Sequence, residues 1–291
     1  RLYVSVHESD DDAYRLWREK MGLKADRIFK LGDETNFWGP AGNSGPCGPC
    51  SEIYFDFGEK FSCGRKGCAP GCDCDRYSEI WNLVFPQFNQ SPTGERRPLM
   101  NRGVDTGMGL ERLVAVVQDK DTNFQTDLFR PIIDEIASKA GYEYGRETEK
   151  DTQLNVIADH IRALVFAIAD GVIPSNEERG YVLRRLLRRA IRFCRNLGIR
   201  DPYLSELVPR TIGIFQDAYP ELDGRREEIT LVIKSEEERF LTTLDKGLAQ
   251  LAELTRHDRA ITAAEAFKLY DTYGFPLELT REIAQEKKIA V

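Results

Sequence analysis

Hydrophobic and polar positions divide the chain into two parts with different patterns. Up to about residue 125, short apolar runs alternate with Gly/Pro-rich stretches, which is typical of strands joined by loops. From about residue 123 the apolar positions recur at helical spacing, interrupted at glycines and prolines. We therefore predict an α+β fold, with an antiparallel sheet and flanking helices over 1–125 and an all-α helical domain over 126–291.

Individual elements follow from the same patterns. An acidic N-terminal turn predicts a helix over 12–21, and a Gly/Pro-rich loop is predicted over 39–50. Strands are predicted at 2–6, 27–31, 51–57 and 78–87.

Composition limits the classes of function. The chain has 291 residues and a net charge of −7, so as a whole it is not a basic nucleic-acid binder, although a local basic patch stays compatible with this balance. No apolar run reaches the length of a membrane span and no signal-peptide pattern is visible in this sequence, so we expect no membrane partner. Seven cysteines, an odd number and partly clustered, favour a reducing, cytoplasmic location.

The stretch from Val104 to Arg112, Val-Asp-Thr-Gly-Met-Gly-Leu-Glu-Arg, predicts a strand end, a tight glycine turn and a helix from about Leu110. Asp105 precedes the turn and Arg112 follows it. A carboxylate can hold an ammonium and a guanidinium can hold a phosphate, so this corner suits a ligand that carries both groups. The alternative interpretation is a structural strand–turn–helix corner with a surface arginine.

Two further segments contain candidate pocket residues. Trp38 stands beside a Gly-Pro turn, where it forms either a pocket wall or part of the core. Period-two alternation over 79–85 places Asn82 and Val84 on the same face of a strand. Because a buried amide without partners costs about 1–3 kcal/mol, Asn82 needs either a backbone group or a ligand.

A cysteine-rich insertion spans 58–76. It carries the spacing Cys-x4-Cys-x3-Cys-x-Cys, which brings together Cys63, Cys68, Cys72 and Cys74. Four thiols in a segment of low apolar content indicate a structural zinc site, since four thiolates leave no open position for catalysis. The alternative is a cysteine-rich surface loop without metal.

A helix predicted from Glu177 to Leu197 combines an apolar stripe with a band of arginines. The band comprises Arg184, Arg185, Arg188, Arg189, Arg192 and Arg195. These arginines have few acids near them in sequence, so the band is a candidate surface for nucleic-acid phosphates, the alternative being a solvated face. Asn176 precedes the helix and has the alternative role of an N-cap.

Histidines are few, and His160 is interpreted as a helix-packing residue. The sequence therefore disfavours reactions that need a histidine general base and favours catalysis by positioning and charge neutralisation.

Seven segments of the chain resemble segments of alanyl-tRNA synthetases, a family of class II aminoacyl-tRNA synthetases. They occur along this chain in the same order as in that family. The stretch from Val104 to Arg112 is similar to motif 3 of that class. The segments are 36–38, 45–50, 79–82, 104–112, 159–162, 174–185 and 269–276. The resemblance extends over essentially the whole chain and implies a class II synthetase-type antiparallel sheet followed by a helical domain that recognises the tRNA acceptor stem.

The resemblance implies that alanine and ATP form alanyl-adenylate, whose acyl group then passes to tRNA(Ala), with Mg²⁺ as cofactor. Asp105 would hold the α-ammonium and Arg112 the ATP phosphates. Gly107 would let the backbone lie against the amino acid, and Gly109 against the nucleotide. Trp38, Asn82 and Val84 would line the alanine pocket. A valine wall excludes large side chains but rejects glycine weakly, because one methyl group is worth about 1–3 kcal/mol.

In the helical half, the resemblance implies that Asn176 and Asp271 recognise a G·U wobble pair of the acceptor stem. Such a pair exposes the guanine amino group in the shallow minor groove of A-form RNA. The resemblance also implies phosphate contacts from Arg184, Arg185, Arg188 and Arg189.

The chain departs from the family pattern in two ways. Motifs 1 and 2 are expected upstream of Arg1, so we expect a segment N-terminal to this chain to be its partner in one larger enzyme. Some members follow the Cys-x-x-Cys pair with two histidines, whereas Phe57 and Lys60 stand here. Any zinc must therefore be held by the insertion. A tRNA-binding module or inactive paralogue, and an adenylate-forming ligase with another acyl acceptor, remain as alternatives.

The isolated 291-residue chain should show little or no alanine-dependent ATP–pyrophosphate exchange, because the arginine of motif 2 that contacts the α-phosphate is expected outside it. Pyrophosphate exchange with purified chain, alone and with an added N-terminal segment, tests this expectation. Robust exchange by the chain alone would contradict it.

Overall fold

The computed structural model describes residues 1–256, 260–275, 277–286 and 288–290, without the side chain of residue 278. The chain forms two compact units, Arg1–Thr126 and Asp127–Val291.

An eight-stranded sheet forms the centre of the first unit, with the principal strand order β2-β1-β4-β5-β8. β3 and β6 pair with β4, and β7 pairs with β6. The strands are β1 (Leu2–His7), β2 (Ile28–Leu31), β3 (Phe37–Trp38), β4 (Gly45–Asp56), β5 (Tyr77–Val84), β6 (Phe88–Gln90), β7 (Arg96–Pro98) and β8 (Asp105–Met108). The helices of this unit are α1 (Asp11–Glu19), α2 (Asp33–Asn36) and α3 (Leu110–Val117).

The sheet is antiparallel except for β1 and β2, which run parallel. The chain leaves β1, crosses through α1 and returns in β2, and such a crossover connection is what a parallel pair requires. The predicted α+β class is confirmed, and the sheet is mixed rather than purely antiparallel.

The predicted loop over 39–50 is wrong from Gly45 onwards, because β4 already begins there. Pro46 and Pro49 have no N–H to donate, so carbonyl groups maintain the pairing at this end. The Pro49 carbonyl accepts from the Phe85 amide at 2.9 Å, and the Cys47 carbonyl accepts from the Gln87 amide at 3.0 Å.

One face of the sheet packs against α1. Val4 and Val6 of β1 form a core with Ile28 and with Ala13 of α1. The indole of Trp17 adds a polar anchor, since its Nε1 donates to the Ser51 hydroxyl at 2.8 Å. This packing leaves the opposite face of the sheet, which carries Ser5, for other contacts.

The second unit is helical. Its helices are α4 (Arg130–Lys139), α5 (Thr148–Ala169), α6 (Glu178–Asn196), α7 (Val208–Phe215), α8 (Glu221–Gly224), α9 (Arg226–Leu254), α10 (Ala263–Tyr273) and α11 (Leu277–Glu286). α5 lies in the core, since Leu154, Ile157, Ile161, Leu164 and Ile168 are fully buried at helical spacing. Within the described ranges, no helix is both long and apolar enough to cross a membrane.

Candidate functional site

Four side-chain positions line up across the sheet on the face opposite α1. Ser5 of β1 pairs with Glu52 of β4, Glu52 with Asn82 of β5, and Asn82 with Gly107 of β8. Residues directly opposite each other in antiparallel strands project to the same face. The register therefore brings Asn82 and Gly107 together, although they are 25 positions apart in the sequence.

A second row lies beside the first. Cys50 pairs with Val84, and Val84 pairs with Asp105. Val84 is buried, whereas Asp105 is exposed. Trp38 joins the same face because it pairs with Gly48, two residues before Cys50. Trp38 is 41% exposed as a residue, so its interpretation as a core aromatic is wrong.

A β-bulge adds a residue to this face that the alternation did not predict. Ile53 pairs with Trp81, but Tyr54 pairs with Glu79, so Ile80 is an extra residue on β5. The bulge turns Glu79 towards the face that carries Glu52, as bulges commonly redirect side chains.

Arg112, in the first turn of α3, contacts Glu79. Its Nη1 donates to the Glu79 carbonyl at 2.8 Å and lies 4.0 Å from the Glu79 carboxylate. The guanidinium of Arg112 is therefore held at one nitrogen. Much of it faces solvent, since the side chain is 50% exposed.

The glycine corner differs in detail from the prediction. The helix begins at Leu110 as predicted, but Gly107 lies inside β8 and no separate tight turn precedes the helix. Neither Gly107 nor Gly109 has a positive φ. A Cβ built on Gly107 would meet no atom within 4 Å, so its surroundings leave open space above the strand.

Glu52, which sequence reasoning missed, is the centre of a buried network beneath the site. It is 4% exposed and accepts from the Tyr54 hydroxyl, from Ser5 Oγ at 3.3 Å and from Asn82 Nδ2 at 3.0 Å. The thiol of Cys50 lies 3.8 Å from Oε1, the oxygen that also accepts from Asn82. A glutamate at an inward position of an otherwise apolar and aromatic strand was the signal that could have revealed it.

Burial dominates the electrostatics of this network. It raises the pKa of Glu52, and the negative charge of the neighbouring Glu79 raises it further. The hydrogen bond from the Tyr54 hydroxyl lowers it. Burial, together with the Glu52 charge, raises the pKa of the Cys50 thiol to about 12. This thiol is therefore protonated at neutral pH and is not a nucleophile.

The Glu52 carboxylate also determines the orientation of Asn82. Asn82 Nδ2 donates to Glu52 Oε1, so the amide nitrogen of Asn82 faces Glu52. The Oδ1 atom is then left buried without a partner among the described residues. Such an atom is an acceptor whose hydrogen-bonding capacity is unmet, which costs free energy until a donor reaches it.

The insertion brings its four predicted cysteines together. All four Sγ atoms of Cys63, Cys68, Cys72 and Cys74 lie within 4.8 Å of one another. The Cys63–Cys72 and Cys68–Cys74 pairs are each 3.5 Å apart, and all four thiols are free.

Arg65 supplies positive charge beside this cluster. Its Nε donates to Cys63 and its Nη2 to Cys72, each at 3.4 Å. The bond from Arg65 lowers the pKa of Cys63 to about 6, whereas hydrogen bonding with Cys63 raises the pKa of Cys72 to about 11. One thiolate is therefore already favoured at neutral pH without a metal.

In the helical unit, Asn176 and Asp271 are both exposed. Asn176 does not cap α6, since the N-cap residue is Glu177 and no side chain caps it. The helix-cap interpretation of Asn176 is therefore wrong. Its Oδ1 instead accepts a hydrogen bond from Nη1 of Arg184.

Most arginines of the band form ion pairs with acidic residues from distant segments of the chain. The expectation that these arginines lack acidic partners is therefore wrong. Arg184 and Arg188 pair with Glu236, Arg189 with Glu282, Arg192 with Glu286 and Arg195 with Asp245. Arg185 is half-buried on the same helix. His160 is buried, with Nε2 3.3 Å from Arg189, as a packing histidine would be.

The family model described as tRNA synthetases class II (A) matches residues 1–291. The chain belongs to this family. The predicted class II synthetase-type fold is thereby confirmed.

Curated relatives are similar along the whole chain. An alanine–tRNA ligase of Desulforamulus reducens is 52% identical over 296 residues, covering 100% of this chain and 34% of that protein. One of Desulfosudis oleivorans is 51% identical over 296 residues, covering 100% of this chain and 34% of that protein. One of Lawsonia intracellularis is 51% identical over 295 residues, covering 100% of this chain and 33% of that protein. The chain thus spans about a third of the length of these relatives.

The raised pKa of Glu52 predicts a pH dependence of stability. The folded chain holds this proton more tightly than the unfolded chain, whose glutamates titrate near 4.5. The contribution of Glu52 to the free energy of unfolding is therefore largest below that pH and falls as pH rises towards the raised pKa. Glu52→Gln should remove this part of the slope, measured by urea unfolding between about pH 4.5 and 7.5.

The exposed Glu8→Gln serves as a matched control and should keep the slope of the unchanged chain. Identical slopes for Glu52→Gln and the unchanged chain would contradict the prediction.

Proposed function

We propose that this chain is part of an alanine–tRNA ligase, a cytoplasmic enzyme that activates alanine with ATP and transfers it to tRNA(Ala). The observation that carries the proposal is the convergence of Trp38, Asn82, Val84 and Asp105 on one face of the sheet, with Arg112 at its edge. The relatives named alanine–tRNA ligase support the same activity.

Two steps make up the proposed reaction. An oxygen of the alanine carboxylate attacks the α-phosphorus of ATP, and the bond to pyrophosphate breaks. A ribose hydroxyl of the terminal tRNA adenosine then attacks the acyl carbon, loses its proton, and AMP leaves. Both steps develop charge on phosphate or acyl oxygens, so they depend on positioned charges more than on a general base.

Asp105 is suited to the α-ammonium of alanine. Its exposed carboxylate is on β8, two residues before Gly107. The space above Gly107 is open, since a Cβ added there would meet no atom within 4 Å. The Asn82 amide oxygen is a second acceptor on this face, so an ammonium would meet an anion and a neutral acceptor. Val84, directly opposite Asp105, is buried and supplies the apolar wall that limits side-chain size.

Arg112 is suited to the phosphates of ATP. Because its Nη1 is held by the Glu79 carbonyl, the guanidinium is oriented before a ligand arrives, which reduces the entropy lost on binding. Mg²⁺, when bound with ATP, neutralises phosphate charge. The Glu79 carboxylate fits that ion, since it is an oxygen ligand, partly exposed and on the site face beside Arg112.

The helical unit would bind the tRNA acceptor stem through Asn176 and Asp271. Both side chains are exposed, and they offer an amide and a carboxylate to the minor groove of a G·U pair. Arg184 and Arg188 are engaged with Glu236, so their proposed phosphate contacts compete with ion pairs inside the unit. The proposed phosphate contacts of Arg185 and Arg189 remain part of this interface, and that of Arg189 competes with its ion pair to Glu282.

The insertion is proposed as a structural zinc site. A tetrahedral site with Zn–S bonds of about 2.3 Å places its sulfurs about 3.8 Å apart. The observed Sγ separations, from 3.5 Å to at most 4.8 Å, are close to this arrangement. Four cysteine ligands would make the site structural, holding the loop in place of an apolar core.

Asp105→Asn should lower kcat/KM for alanine by on the order of 100-fold, since a charge-assisted bond to the ammonium is lost. The KM for ATP should change little. Alanine-dependent ATP–pyrophosphate exchange, measured on a full-length protein that carries this chain, tests the expectation. Thr106→Ser, on the next residue of β8 and facing the other side, is the matched control.

Two results would contradict this proposal in different ways. Unchanged exchange in Asp105→Asn would remove the assigned role of this carboxylate. Absence of exchange in the unchanged full-length protein, with tRNA binding intact, would favour a tRNA-binding module without chemistry.

For the zinc site, we expect about one zinc ion per chain by elemental analysis, and Cys68→Ser should lower this content. Cys194→Ser, a buried thiol of α6 outside the cluster, should not. A chelator should release the zinc and make the four thiols of the insertion titratable. Purified protein without zinc, with all four thiols freely titratable, would rule the site out.

A further inference from the structure

Glu236 of α9 is a buried carboxylate with an unusual set of neighbours. It is 5% exposed and lies within ion-pair distance of three arginines. Arg184 and Arg188 come from α6, and both are nearly buried, whereas Arg239 is exposed. A charged group at this depth needs partners, and Glu236 is shared among all three guanidinium groups.

The first partner, Arg184, connects Glu236 to Asn176. Arg184 Nε lies 2.9 Å from Glu236 Oε1, and its Nη2 donates to Oε2 at 3.4 Å. The same guanidinium donates to Asn176 Oδ1, and to the Pro174 carbonyl at 3.3 Å. The segment before α6 is therefore held to α9 through one arginine.

The second partner, Arg188, connects Glu236 to the end of α10, the helix that carries Asp271. Arg188 Nη2 donates to Glu236 Oε1 at 2.8 Å, and its Nη1 donates to the Gly274 carbonyl. Gly274 ends α10 in the left-handed conformation, with φ of +66°. A Cβ there would lie 3.0 Å from Arg188 Nη1, so a glycine also leaves room for the arginine.

Charge explains why this arrangement depends on Glu236. Burial lowers the pKa of Arg188, Glu236 raises it, and the charges of Arg184 and Arg239 lower it again. The guanidinium groups therefore repel each other, and in the described part of the chain the shared carboxylate is their common counter-charge. Without it, Arg184 and Arg188 would be expected to move apart and lose their contacts with Asn176 and Gly274.

We propose that Glu236 is a positioning residue that fixes Asn176 and Asp271 in one geometry for recognition of the G·U wobble pair. The inference rests on the proposed function, since it assumes that these two residues contact tRNA. It assigns to Arg184 and Arg188 the task of holding the two recognition groups, in place of phosphate contacts.

The same contacts determine what the two groups offer to RNA. A guanidinium only donates hydrogen bonds, so Arg184 holds the amide oxygen of Asn176 and leaves its Nδ2 as a donor. Asp271, an exposed carboxylate, is an acceptor. One donor and one acceptor match what a wobble pair offers, since the guanine amino group donates and neighbouring base and 2′-hydroxyl oxygens accept.

The experiment compares aminoacylation of acceptor-stem RNAs that carry G·U or G·C at the recognition pair, using the full-length protein. Alanine-dependent ATP–pyrophosphate exchange is measured on the same samples. Glu236→Gln should lower the preference for G·U by on the order of 10-fold or more, while exchange stays within about twofold. Glu238→Gln is the matched control, since Glu238 is on α9 and 54% exposed.

Arg188→Lys keeps a cation for Glu236 but cannot reproduce the fork of bonds to Glu236 and Gly274, so it covers the case in which Glu236→Gln does not fold. It too should lose the G·U preference with exchange intact. A folded Glu236→Gln or Arg188→Lys protein that keeps the full preference would overturn the proposal. Absence of a preference in the unchanged protein would instead overturn the proposed tRNA recognition itself.

Discussion

The position of β5 between β4 and β8 is the constraint on which the site of the first unit depends. Positions 50 and 52 of β4, 82 and 84 of β5, and 105 and 107 of β8 share one face only in this register. A shift by one residue would turn Asn82 and Val84 to the face that packs against α1. The buried bonds from Ser5 and Asn82 to Glu52 add polar links across the strands that a shifted register would break.

Two amides of the chain are oriented by the same physical rule. Asn82 donates its nitrogen to Glu52, so its oxygen points away from that contact. Asn176 accepts through its oxygen from Arg184, which can only donate, so its nitrogen points away. An asparagine in water turns freely and presents either group. Fixing it against a buried charge removes this ambiguity before a ligand binds, which lowers the ordering cost of binding and sharpens selectivity.

Local patterns in the sequence predicted much of the first unit. Period-two alternation placed Asn82 and Val84 on one face, and the start of α3 at Leu110 followed from the glycine corner. The face of Glu79 did not follow, because a bulge at Ile80 shifts the alternation and no residue type marks it. Glu52 was missed for a related reason: its role depends on donors from three other positions, which only the register assembles.

The arginines of α6 show the complementary limit of sequence reasoning. Their acids lie about 50 to 95 positions further along the chain, so no local count could match them. Once paired, such an arginine contacts a phosphate only at the expense of a partly buried ion pair, which is costly to break. The paired arginines of the band are therefore less available to a phosphate than their number suggests. Its arginines also hold the chain together at two places: Arg184 donates to Asn176 in the segment before α6, and Arg188 donates to the Gly274 carbonyl at the end of α10.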